Sequence, residues 1–153
     1  MYKRQAEQRL RTKTGAHSPQ TPPASIEQAI AQIRLYMTGR QIDFDGIVLD
    51  HTGVDAFRLD LYTAVRRVGW GQTTTYGALA RTLGLPDARA VGQAMGRNPT
   101  PVIVPCHRVL AAGDRMGGFS AFGGTATKER LLALENVWIG GTPPLPGLLQ
   151  TGS

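Results

Sequence analysis

"TTTYGALARTLGLPDARAVGQAMGRN", Thr73–Asn98, is the stretch on which the reading of this chain turns. A threonine ahead of an Ala- and Leu-containing run is a helix start signal, and Gly84 ends that run. Leu85-Pro86-Asp87 follows. Proline and aspartate suit the start of a second helix, and Asn98-Pro99 marks its end. Two short helices joined by a tight, glycine-containing turn read as a helix-turn-helix. The second helix carries Ala88, Ala90, Val91, Gly92 and Ala94 with one long cation, Arg89. Small residues let a helix backbone approach closely, either to another helix or to a groove. Arg89 breaks the small face, which suits groove binding and wedging into stacked bases.

Upstream, "DAFRLDLYTAVRRVGWG" (55–71) is amphipathic, with Phe57, Leu61, Val65 and Val68 on one stripe and Gly69 and Gly71 behind it. In "SIEQAIAQIRLYMTGRQ" (25–41), Ser25 and Gln28 form a capping-box pattern. Ile26, Ile30, Ile33 and Met37 follow helical spacing there, and Gly39 can close the helix. "IDFDGIVLDHTG" (42–53) reads as a short extended segment before a turn. Downstream, "TPVIVPC" (100–106) is a β-branched run bounded by prolines, read as extended and buried. "AAGDRMGGFSAFGG" (111–124) is a glycine-rich loop with the character of a wing. "TATKERLLALEN" (125–136) is a last helix with Leu131, Leu132 and Leu134 on its apolar side.

The division expected is therefore a disordered basic arm over 1–24, a helix and extended segment over 25–53, the helix-turn-helix domain over 54–138, and a flexible tail over 139–153. The chain carries a formal charge of +6, and residues 1–24 hold five Lys/Arg against one Glu. Between Arg66 and Arg115 lie seven arginines against Asp87 and Asp114, a balance that suits either a polyanionic partner or a solvated face. One cysteine in 153 residues excludes an internal disulfide and a multi-thiolate zinc site. No apolar run is long enough to span a membrane, and the first residues lack the apolar core of a secretory signal. An intracellular, reducing compartment (cytoplasm, nucleoid or nucleus) is the expectation.

That cysteine, Cys106, sits beside His107 in "VIVPCHRV" (102–109). A thiol reacts as its thiolate, and a nearby base or cation activates it. Neighbours along an extended chain point to opposite sides. His107 therefore serves Cys106 only if the backbone turns there or a water relays the proton. Taken alone, the pair is weak evidence, and a buried, inert cysteine beside a histidine is the commoner case.

Many spaced positions together say more. "LDHTGVDAFRLDLYTAVRRVGWGQTTTYGALA", "ARAVGQAMGRNPTPVIVPCHRVL", and a Gly-Gly followed by "KERLLALE" resemble the O6-alkylguanine-DNA alkyltransferases over about Leu49 to Glu135. The resemblance implies a mainly α fold: a winged helix-turn-helix alkyltransferase domain with a small extended element and, over 25–53, the remnant of an N-terminal α/β domain. Without that domain's sheet, Ile26, Ile30, Ile33, Ile47 and Val48 would be exposed. By resemblance Cys106 is the alkyl acceptor, His107 takes its proton through a water, Glu135 orients the histidine, and Asn98 braces the turn. Tyr76 donates to N3 of a flipped guanine, and Arg89 fills the gap in the stack. Thr75 and the face of Ala88, Ala90 and Gly92 dock into the minor groove of double-stranded DNA. The resemblance implies no metal and no cofactor, a monomer, and one transfer per molecule. One departure stands out. Phe119-Ser120-Ala121-Phe122 precedes Gly123-Gly124, two residues longer than in many relatives, so Ser120 or the loop amides are alternatives for binding O6.

Three rivals are weighed against this reading. A non-enzymatic, alkyltransferase-like lesion binder would lack the acceptor cysteine, which is present. A transcription regulator would carry base-reading side chains where Ala88, Ala90, Val91 and Gly92 stand. A Cys-His hydrolase would need an oxyanion hole that no motif identifies.

Overall fold

The computed structural model describes residues 21–140. Most of the arm expected over 1–24 and of the tail expected over 139–153 lies outside the described residues. Among the described residues are five α-helices and two very short strands: α1 (Ala24–Tyr36), α2 (Ala56–Arg66), β1 (Thr74–Thr75), α3 (Tyr76–Thr82), α4 (Arg89–Met95), β2 (Val109–Leu110) and α5 (Gly124–Leu134). A single 3-10 turn, Cys106–Arg108, leads into β2.

Two short helices, α3 and α4, form within the stretch where the sequence predicts them. Thr75 caps α3, its hydroxyl accepting from the Ala78 amide at 3.1 Å. Gly84, at φ +66°, reverses the chain, and the Leu85 amide closes the turn on the Ala80 carbonyl at 2.9 Å. The Asp87 carboxylate then accepts from the Arg89 amide at 2.7 Å and starts α4. Asp55 caps α2 in the same way, accepting from the Arg58 amide at 2.8 Å. Leu61, Tyr62 and Val65 of α2 meet Leu79 and Ala80 of α3 and Val91, Ala94 and Met95 of α4 in one core, closed below by Val104, Cys106 and Val109. The Tyr62 hydroxyl donates to the Ala94 carbonyl at 3.1 Å across that core. β1 and β2 pair in parallel, Thr74 with Val109 and Thr75 with Leu110, which ties the start of α3 to the segment just after the cysteine.

Two readings of the sequence are corrected. The run 100–106 is not extended. Its Val104 amide returns to the Thr100 carbonyl at 2.9 Å, and Val102 stands at φ +78°. Pro101 and Pro105 have no amide to give a ladder, and the Asn98 side chain supplies the bonds of a turn instead, accepting from the Thr100 amide at 3.1 Å and donating to the Val104 carbonyl at 2.9 Å. Helix α1 is the second correction. It begins at Ala24 behind Pro23 with no side-chain cap, so the Ser25–Gln28 box is not formed. The inward face is Ala29, Ile33 and Tyr36, while Ile26, Ile30 and Met37 are exposed. Val48 is exposed as well; Ile33 and Ile47 instead pack beside Tyr36, Phe44 and Leu131 in a second cluster.

The segment 42–53 contains turns and no strand. In the glycine-rich loop the Ala111 amide bonds the Arg115 carbonyl at 2.8 Å, closing a tight reversal through Gly113 and Asp114.

Candidate active site

The backbone does turn at the cysteine. Asn98 pins the preceding loop, and the 3-10 turn sends Cys106 and His107 in different directions from one point. Cys106 is 4% exposed and lies in the wall of a cavity of about 440 Å³. Tyr76, from the first turn of α3, faces the same cavity, with Gly92 and Met95 of α4 and Gly118 to Ser120 of the following loop. Nothing fills the space a side chain at Gly92 would occupy, so α4 leaves the cavity open there. At Gly117 a Cβ would stand 3.1 Å from the Tyr76 ring, so that glycine lets the loop close over the tyrosine. Burial pushes the Cys106 thiol up. The Asn98 side chain, the Lys128 charge and the amides of Cys106 and His107 pull the other way without overcoming it.

His107 is fully buried and does not line that cavity. Its Nε2 lies 2.8 Å from Glu135 Oε1 and 3.1 Å from the Tyr36 hydroxyl. Nδ1 is buried without a protein partner. Burial lowers the imidazole below its ordinary value, against the pull of Glu135. Burial thus favours the neutral ring, and Nε2 is the nitrogen that faces the Glu135 carboxylate.

Glu135, at the C-cap of α5, collects the donors. Besides His107 it accepts from the Tyr36 hydroxyl at 2.7 Å, from Arg108 Nη2 and Nε at 2.9 Å each, and from the Gly71 amide at 3.3 Å. Burial alone would raise its carboxyl, but the hydrogen bonds from His107, Arg108 and Tyr36 bring it down to about 2.

The structure therefore brings together Cys106 and Tyr76 on one cavity, and His107 and Glu135 as a pair behind the cysteine, with Asn98 as the brace. Thr75 is the cap of α3. Ala88 and Ala90 are half-buried, Arg89 is exposed, and the other face of α4 packs in the core through Val91, Ala94 and Met95. Of the two alternatives for the small-residue helix, close packing against neighbouring helices is realised on the face of Val91, Ala94 and Met95. Ser120 lines the cavity but spends its hydroxyl on the Met95 carbonyl at 3.4 Å.

Three members of the site escape a reading of the sequence. Tyr36 bridges His107 and Glu135. Arg108, counted above among the cations facing a polyanion, is 6% exposed and bound to Glu135. Arg66 is also withdrawn from that face, donating to the carbonyls of Phe44, Asp45 and Ile47. Lys128 is fully buried, donating to the Val109 carbonyl and to the Gly118 carbonyl at 3.2 Å, with its ammonium 5.8 Å from the Tyr76 ring centre. Burial brings it down to about 8.

Residues 56–137 match the family model described as 6-O-methylguanine DNA methyltransferase, DNA binding domain. The chain belongs to this methyltransferase family. A methylated-DNA–protein-cysteine methyltransferase of Methanothermobacter thermautotrophicus is 36% identical over 121 residues, 79% of this chain and 67% of that protein. A DNA base-flipping protein of Thermus thermophilus is 40% identical over 111 residues, 72% of this chain and 75% of that one. Among solved structures, Mycobacterium tuberculosis OGT in complex with DNA superposes with a TM-score of 0.67 at 36% identity, covering 78% of this chain and 74% of that one. The helix-rich architecture with one two-stranded sheet is the alkyltransferase fold of that family. Among the described residues of this family member, no helix is long and apolar enough to cross a membrane.

Proposed function

We propose that this chain repairs O6-alkylguanine in DNA by moving the alkyl group irreversibly to Cys106. The observation that carries the reading is the placement of the one thiol. It opens onto a cavity with Tyr76, while the residue beside it joins a buried His107–Glu135 pair. The winged helix-turn-helix domain, 54–138, docks as a monomer in the minor groove through Thr75, Ala88, Ala90 and Gly92, and the damaged base flips into the cavity. Arg89 takes the vacated place in the stack.

The thiol proton passes through a water to His107 Nδ1, and the Glu135 carboxylate stabilises the resulting imidazolium. Sγ attacks the alkyl carbon in line as the carbon–O6 bond breaks. The electron pair stays on guanine, and Tyr76 offsets that charge by donating to N3. To do so its hydroxyl exchanges the Gly118 carbonyl, now at 3.2 Å, for the base. Burial favours the thiol form of Cys106. The thioether is stable, so a molecule acts once. A non-enzymatic lesion-binding role is disfavoured by the presence of Cys106 itself.

The test is Cys106→Ser, assayed for binding to duplex DNA containing O6-methylguanine and for transfer. Retained binding with abolished transfer is expected. Undiminished transfer would mean another acceptor.

A further inference from the structure

The matched family domain begins at residue 56, yet the His107–Glu135 pair is completed from outside it. Tyr36, the last residue of α1, is fully buried. Its ring is fixed from three sides: edge-on to Trp70 with centres 5.4 Å apart, tilted against Phe44 at 5.6 Å, and against His107 at 6.2 Å. Its hydroxyl hydrogen goes to Glu135 Oε1 at 2.7 Å, and its oxygen stands 3.1 Å from His107 Nε2.

We propose that Tyr36 is a positioning residue for alkyl transfer, its hydroxyl locking His107 in the tautomer that leaves Nδ1 free to receive the thiol proton. The proposal rests on the reading of His107 as the base. A hydroxyl has one hydrogen and two lone pairs. With its hydrogen committed to Glu135, it offers only an acceptor to Nε2. The Nε2 hydrogen is then shared between two acceptors, Glu135 Oε1 and Tyr36. A proton on Nδ1 instead would leave Nε2 as a bare acceptor facing a carboxylate. Tyr36 and Glu135 thus reject the wrong tautomer together. Glu135 alone would still leave the ring free to pivot about a single bond. Helix α1 in this account is part of the reactive centre rather than a support for it.

The charged and titratable groups that bear on His107 are Glu135 and Lys128 at and within α5, Arg108 and Cys106 on its own turn, and Tyr36 on α1. Only Tyr36 changes in the variant Tyr36→Phe, which keeps the ring against Trp70 and Phe44. The rate of transfer at saturating duplex DNA should fall by about tenfold, the order expected for one buried hydrogen bond of roughly 1.4 kcal/mol. The affinity for the DNA should stay unchanged. The pH profile of the transfer rate should shift, and the 15N spectrum of His107 should change from one tautomer to a mixture.

A second variant guards against a folding defect. Site-specific 3-fluorotyrosine at position 36 retains the hydroxyl and the packing but weakens its oxygen as an acceptor. It should transfer within a few-fold of the native rate with a displaced pH profile. An unchanged rate in Tyr36→Phe would overturn the proposal. So would a reduced rate with an unaltered pH profile and a single His107 tautomer, since that pattern belongs to packing alone. His107→Ala separates this from the reading beneath it: native-rate transfer in that variant removes His107 as the base, whatever Tyr36 does.

Discussion

Replacing Glu135 by glutamine keeps the shape of the side chain and removes one charge and one acceptor atom. The native carboxylate receives Tyr36, His107 and Arg108 Nη2 on Oε1, and Arg108 Nε and the Gly71 amide on Oε2. An amide has one acceptor oxygen, so either orientation turns an N–H toward donors. The Arg108 guanidinium also stays buried with no carboxylate. Removing one partner of a buried ion pair costs about 3–5 kcal/mol, far above an exposed pair.

The protonation of Glu135 supports that figure. Its carboxyl is held at about 2 in the fold against an ordinary 4.5. The folded value lies below the unfolded one, so the stabilisation is complete above about 4.5 and is lost as pH falls through about 2. That gap corresponds to about 3 kcal/mol. His107 acts in the same direction at milder acidity. Its folded value is depressed below 6.5, so the unfolded imidazole takes up a proton first and stability falls. Urea unfolding across this range measures both. Glu135→Gln should be about 3–5 kcal/mol less stable at neutral pH and should lose the loss between 4.5 and 2. Adding Arg108→Met should restore part of the difference. A penalty under about 1 kcal/mol at neutral pH, with the native acid profile intact, would refute the buried network.

Arg89→Ala should slow transfer from duplex DNA strongly and spare transfer from free O6-alkylguanine, because only the paired base must be flipped; Arg89→Lys should recover part. Equal losses on both substrates would place Arg89 in the reactive pocket instead. Lys128→Met should cost about 1–3 kcal/mol in stability and slow transfer, since the buried Val109 carbonyl loses its side-chain donor and the Gly118 carbonyl at the cavity is left with Tyr76 alone. Duplex binding by that variant should be unaffected, and weakened binding measured by fluorescence anisotropy would argue against this account of Lys128.

What could be read in the sequence follows from the range of the interactions. The cap at Thr75, the reversal at Gly84 and the start at Asp87 are bonds between neighbours, and each announced itself by residue type. The face of α2 showed in its spacing, because Leu61 and Val65 pack on one side. In α1 the same reasoning pointed to Ile26, Ile30, Ile33 and Met37, of which only Ile33 packs inward, because the buried face is set by Tyr36. The hydroxyl of Tyr36 finds Glu135 across 99 positions of chain, and no local pattern carries that. Arg108 looked like surface charge for the same reason, its partner lying 27 residues on. At 100–105 the β-branched residues spoke for a strand, but two prolines and the Asn98 side chain decided for a turn. The site residues Cys106, His107, Asn98, Tyr76 and Glu135 were legible only as spaced matches to a family. Their chemistry depends on which side of the 3-10 turn each one faces.

The measurement closest to the central claim is the intact mass of the protein after incubation with an excess of duplex DNA containing O6-methylguanine, followed by peptide mapping. The account predicts that the whole population gains one methylene and no more, that the gain maps to the peptide bearing Cys106, and that DNA repaired equals protein consumed. Repair that continues past one equivalent, or a methyl group found on any other residue, would contradict it.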